Sequence, residues 1–148
     1  MEFSTLNTIM SRGGNSISPR DLYALQQPLV EQLLEWRDNG KGDENSALSA
    51  DSIQLSNDGK HVKITAASND EAANIVNYGN LLLTILDHST LHDKRLCNIA
   101  RHCVDGDVGN LETLHLMLER MVSSTIYKIL LAIIITGLTI LAIFQLLH

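Results

Sequence analysis

The sequence predicts a mainly α-helical head with one small β-hairpin, carried on a single C-terminal transmembrane helix. Three observations lead there. Apolar side chains recur at three- and four-residue spacing through much of residues 18–121, the period of an amphipathic helix. Residues 52–65 break that rhythm with two short alternating runs on either side of an Asn-Asp-Gly turn, a hairpin pattern. Finally, Ile129 to Leu147 is nineteen residues without a charge.

That last run spans ~28 Å as a helix, close to the thickness of a bilayer core. It holds thirteen Leu, Ile or Phe residues. At roughly −0.3 to −0.6 kcal/mol of insertion each, they total about 4–8 kcal/mol. Thr136, Gly137, Thr139 and Gln145 do not cancel this, so 129–147 is expected to span a membrane. Arg120 and Lys128 lie before the run and only His148 beyond it, and the positive-inside rule then keeps residues 1–125 in the cytosol. Met1-Glu2-Phe3-Ser4-Thr5 has no basic or apolar signal-peptide region. The expectation is a tail-anchored, single-pass protein inserted after synthesis, and the two flanking cations lean towards the endoplasmic reticulum. In the cytosol a Cys97–Cys103 disulfide is not expected.

Residues 1–125 carry all 17 acidic side chains and ten of the eleven basic ones, a net charge of −7. The longest basic cluster, Lys94-Arg95, is flanked by Asp93. Phosphate neutralisation dominates nucleic-acid affinity, so nucleic acid is not an expected partner.

Along the head, residues 1–17 are polar, contain Gly13-Gly14 and show no sustained period, so they read as a flexible lead-in. A helical domain is expected over 18–122. Ser18-Pro19 starts its first helix, with Ser at the N-cap and Pro at N1. Leu22, Leu25, Leu29, Leu33 and Trp36 form its inner face, interrupted by Pro28, where a kink is expected. Residues 37–46 are a Gly/Asp/Asn-rich loop, and the hairpin follows at 52–65. Ser68-Asn69-Asp70-Glu71 reads as a capping box. Behind it Ala72, Ile75, Val76, Gly79, Leu82, Leu83 and Leu86 make a broad stripe, so that helix is central. A third helix is expected over about 91–103, with Leu96, Ile99, Ala100 and Cys103 inward. A fourth begins near Leu111 and could run on through Ser123-Ser124-Thr125 into the membrane, the stretch 123–128 being juxtamembrane.

This order resembles the C-lobe of protein kinases, which carry H-R-D-L-x-x-x-N, a strand, a turn and then V-K-I-x-D-F-G. Leu48 sits where that motif has Leu, and Ile53 and Leu55 match the strand after it. Asn57-Asp58-Gly59 is the turn, and Val62-Lys63-Ile64-Thr65 resembles the strand before D-F-G. Asn77-Tyr78-Gly79-Asn80-Leu81-Leu82-Leu83 looks like the S-F-G-x-L-L-L of the central helix. Residues 96–118 resemble the stretch in which kinases have C-L-x-x-D-P-x-x-R-P-T. The similarity runs from Ser18 to Met121.

The resemblance implies lost catalysis. Phosphoryl transfer needs an Asp to take the substrate proton, and an Asn and a second Asp to hold Mg²⁺. The catalytic Asp aligns with Ala47, the Mg²⁺-binding Asn with Ser52, and D-F-G with Ala66, Ala67 and Ser68. Only five residues separate Ser68 from Asn74, which takes the place of an Asp in the central helix, so the activation segment and A-P-E are missing. No Gly-rich loop, ATP lysine or partner Glu precedes the first helix. The resemblance thus implies a truncated pseudokinase with no catalytic residues and no cofactor, a docking or regulatory protein whose partner could be a full-length kinase. A decayed fragment without function is the blunt alternative.

Other constellations are weaker. His88, His92, Cys97, His102 and Cys103 lack the spacing of a zinc site. Asp105-x-Asp107-x-Gly109 starts like a calcium loop, but Asn110 and Leu116 stand where an EF-hand needs Gly and Glu. No bound metal is expected. A tail-anchored helical regulator of the Bcl-2 type would suit the size and anchor, and Asn77-Tyr78-Gly79 faintly resembles its N-W-G box. The hairpin at 52–65 has no place in such a bundle.

Overall fold

The computed structural model describes residues 2–147. Met1, His148 and the side chain of Thr125 lie outside the described residues, and with them the reading of His148 as the one residue beyond the anchor. The fold is mainly α, with a three-stranded antiparallel sheet and one long C-terminal apolar helix. Its elements are β1 (Phe3–Thr5), α1 (Leu6–Met10), α2 (Pro19–Asp38), β2 (Ile53–Ser56), β3 (Val62–Ile64), α3 (Glu71–Asp87), α4 (Lys94–Val104) and α5 (Leu111–Leu146).

The N-terminus departs from expectation. Where a flexible lead-in was predicted, β1 pairs with β2 in the register Phe3↔Ser56, Ser4↔Leu55 and Thr5↔Gln54. α1 follows at once, capped by Thr5, and buries Leu6 and Met10. Ile17 is buried too, and its amide donates to His88 O (3.1 Å). Three strand residues and five helix residues are too few to establish a period, so the segment is ordered by what it packs against. The predicted hairpin is therefore two strands of a three-stranded sheet, β1-β2-β3.

Within the hairpin, Ile53↔Ile64 and Leu55↔Val62 are paired, and the turn closes through Gly59 N–H to Ser56 O (2.9 Å). Gly59 has φ +68°, a conformation glycine adopts without the Cβ penalty. The outer edge of β3 would expose unpaired amides. Gln32 of α2 covers it, accepting from Ile64 N (2.7 Å) and donating to Val62 O.

α2 starts where Ser18-Pro19 places it, Ser18 Oγ accepting from Asp21 N (3.1 Å). It runs unbroken for 20 residues through Pro28, so the missing amide removes a bond without ending the helix. α3 is capped two residues later than the capping box predicts: Asp70, not Ser68, accepts from Ala72 N (3.0 Å). Asp93 caps α4, which therefore begins at Lys94 rather than 91. The juxtamembrane stretch 123–128 is helical, and the fourth helix runs on through it: α5 is continuous over 36 residues. Leu111, Leu114, Leu118 and Met121 of α5 are buried, Met117 and Val122 pack beside them, and from Ser123 on its described residues are exposed.

α3 is the central helix, burying Ile75, Tyr78, Leu82 and Ile85 and packing chiefly on α4; α2 packs on α5 and β3. Tyr78 is fully enclosed. Its hydroxyl donates to Gln26 Oε1 (2.6 Å), and Gln26 Nε2 donates to Leu22 O (2.8 Å), so the buried polar atoms form a satisfied chain. Burial pushes the Tyr78 phenol well above its usual pKa.

Candidate functional site: a closed loop junction and an exposed apolar helix

The five positions singled out by the sequence fall where the loop between α2 and β2 meets the segment leading into α3. Ser52 is buried at the start of β2. Its hydroxyl accepts from Ser49 N (2.8 Å) and donates to Ser49 O (2.9 Å), closing a local turn, and Ser52 O accepts from Thr65 N (2.8 Å). Ala67 is fully buried, and its carbonyl accepts from Asp43 N (3.2 Å). Ala66 and Ser68, on either side of it, are half-buried. Ala47 stands exposed on the loop, beside the buried Leu48. The chain thus brings Ser52 beside the strand leading to 66–68, while Ala47 projects outward from the same loop.

Two residues hold this junction. Asn74, on the first turn of α3, accepts from Ser68 N (2.9 Å) and donates to Ser68 O (2.8 Å), fixing the backbone at that residue from both sides. Gly42 approaches so closely that a Cβ there would run into Ser68 O and sit 2.7 Å from Asn69 N. The role of Gly42 has no sequence signal, since one glycine in a polar loop reads as a turn. The space left between Trp36, Gly40, Gly42, Ser68 and Asn74 is about 60 Å³, against roughly 300–1,000 Å³ for a ligand pocket. Side-chain carboxylates nearby serve the backbone or a neighbouring amide: Asp43 accepts from Asn45 N (3.1 Å), Asp70 caps α3, and Asp51 accepts from Asn7 Nδ2 (2.8 Å).

Beside the junction, Arg37 ties three elements together. It donates to Glu71 Oε1 at the start of α3 (3.0 Å) and to Glu112 Oε2 at the start of α5 (2.9 Å). Glu71 Oε1 also accepts from Leu111 N (2.7 Å). Arg37 holds the Glu112 carboxyl down to about 2 from its ordinary 4.5. A depressed carboxyl pKa favours the folded state above the unfolded value and loses that contribution as pH falls through the folded one. The melting temperature is therefore expected to fall between pH 4.5 and about 2, and Glu112→Gln to flatten that part of the profile. Equal acid sensitivity in both proteins would mean the pair is not coupled to folding.

The histidine and cysteine positions do not converge. His88 Nδ1 donates to Thr84 O (2.9 Å), His92 is exposed, and His102 Nδ1 lies 3.1 Å from Asp107 Oδ2. Cys97 is half-buried and Cys103 fully buried, both as free thiols; burial pushes the Cys103 thiol up to about 12. Among the described residues no three His, Cys, Asp or Glu side chains gather as a metal site. Asp105 caps the end of α4.

The other functional surface is α5 beyond Met121. Its apolar window has a mean hydropathy of 2.6 and buries none of its residues against the head. Thr136 and Thr139 donate their hydroxyls to Ala132 O and Ile135 O (2.8 Å each), so neither carries an unpaired donor into an apolar surrounding.

Fold and surface together define a mainly helical domain mounted on a C-terminal helix long and apolar enough to span a membrane. Comparison with known protein families, with curated proteins and with solved structures returned no match to this chain.

Proposed function

We propose that the chain is a catalytically inactive, kinase-like C-lobe held on the cytosolic face of a membrane by its long apolar helix α5, where it docks or regulates a protein partner. The observation that carries this reading is the element order. A long helix (α2), a polar loop, the β2–β3 hairpin, a buried central helix (α3) and two further helices follow one another as in the family the sequence resembles. The sheet also weighs against the all-helical Bcl-2 alternative. Lost catalysis is argued from chemistry: methyl groups at Ala47, Ala66 and Ala67, and hydroxyls at Ser52 and Ser68, offer no carboxylate to take a proton or hold Mg²⁺. A full-length kinase is the proposed partner class, and the endoplasmic reticulum the proposed membrane.

The test is a thermal melt of the full chain in detergent micelles with and without ATP·Mg²⁺. A ligand at a hundred times its Kd stabilises the folded state by about 2.7 kcal/mol, a shift of several degrees. The expected result is no shift. A saturable rise with nucleotide would overturn the inactive reading.

A further inference from the structure

The direction in which α5 leaves the head decides which end of the head meets the bilayer. Arg37, near the end of α2, bonds Glu112 at the start of α5 (2.9 Å), and Glu31 lies 3.4 Å from His115, so the two helices run antiparallel. α5 therefore departs towards the end at which α2 begins. Arg20 precedes Glu31 by eleven residues, about 16 Å of helix. Ile129 follows His115 by fourteen, about 21 Å. The first turn of α2 thus comes within about 5 Å of the level where the uncharged run starts, and the headgroup layer is itself roughly 5–7 Å deep.

At that end lies a cleft of about 320 Å³ between the chain after α1, the first turn of α2 and the β2–β3 turn. Ile17 and Leu25 contribute apolar lining, and Arg12, Arg20, Asp21 and Asp58 supply charges of both signs. Among the described residues neither arginine has an ion-pair partner. Asp58 engages Ser56 and Lys60 through Oδ1 alone, which leaves Oδ2 to a ligand. Ser16 Oγ, also on the lining, is buried without a hydrogen-bond partner.

We propose that this cleft takes the headgroup of a zwitterionic phospholipid, with the phosphate between Arg12 and Arg20 and the ammonium against Asp21 and Asp58. The balance of charge selects the ligand. Two cations alone would suit any phosphate, but the two carboxylates repel a second negative group and offer an ammonium its partners. The inference rests on α5 crossing a membrane, and it is independent of whether the head is kinase-like.

The experiment uses the full chain in phosphate-free maltoside micelles, following the backbone amide signals of Gly13, Gly14 and Gly59. Short-chain phosphatidylethanolamine is expected to shift them saturably. Short-chain phosphatidylglycerol and inorganic phosphate are expected to bind at least tenfold more weakly. Arg12→Ala with Arg20→Ala should abolish the shift, and Asp21→Asn with Asp58→Asn should erase the preference, while signals far from the cleft stay in place to report an intact fold. Equal response to inorganic phosphate would reduce the cleft to a general anion site and overturn the proposal. So would no saturable shift, or a shift indifferent to the arginines. The titration is read in micelles, so its failure is separate from a failure of membrane insertion or of the nucleotide test.

Discussion

Gly79→Leu is expected to prevent the head from folding, and Gly79→Ala to destabilise it by about 1–2 kcal/mol. Gly79 sits where α3 packs directly against α4. A Cβ there would lie 2.7 Å from Ala100 O, 2.7 Å from Cys103 Cβ and 3.0 Å from Val104 Cγ2. Alanine gains about 1 kcal/mol of helix propensity over glycine. Overpacking a close-packed contact costs about 1–3 kcal/mol. The cost falls at the upper end here, because the nearest atom is a backbone carbonyl and cannot rotate aside. Thermal melts of the full chain in micelles measure the difference. If Gly79→Ala raised the melting temperature, α4 would not leave so little room for a side chain at this position.

The same residue marks what the sequence could and could not convey. The broad apolar stripe of α3 announced a central helix, and Leu22, Leu25, Leu29 and Leu33 announced the face of α2, because burial at helical spacing leaves a period. The close approach at Gly79 leaves none, since glycine records only that something is near. The hairpin was legible from its alternation and its Asn57-Asp58-Gly59 turn. Its third strand was not: Phe3-Ser4-Thr5 is ordered by the edge of β2, a partner fifty residues away in the chain. The capping box misplaced the start of α3 by two residues for a related reason. Ser68 is held by Asn74 on both its amide and its carbonyl, which leaves Asp70 to cap α3.

The loop junction shows the same division. The residue types at Ala47, Ser52, Ala66, Ala67 and Ser68 were readable. Their packing was not, because it depends on Gly42 from one loop and Asn74 from a helix beyond the next. Arg37 is a further case. In the sequence it reads as the first residue of the polar loop 37–46, whereas α2 runs on to Asp38. In the fold it joins α2 to both α3 and α5 through Glu71 and Glu112, so the anchor helix is fastened to the head at its very start.

That fastening sets up the second large effect. Replacing both Ile134 and Leu138 by arginine is expected to abolish membrane integration while leaving the head's melt unchanged. The two side chains are 57% and 64% exposed on α5, far from the head core. An arginine at the centre of a spanning helix costs about 2.5–3.5 kcal/mol, and each replaced aliphatic forfeits roughly 0.3–0.6 kcal/mol more. Two such changes cost about 6–8 kcal/mol, against the 4–8 kcal/mol that the whole run supplies. Alkaline extraction of membranes containing the full chain reads the outcome: the unaltered protein stays in the pellet and the double variant moves to the supernatant. Leu147→Arg is the control, since an arginine at the helix end can reach the interface and should leave integration intact. Release of the unaltered chain would show that α5 lies on a surface or against another protein. Because α5 is one unbroken helix from Leu111, such a result would also free the head from the orientation on which the headgroup cleft depends.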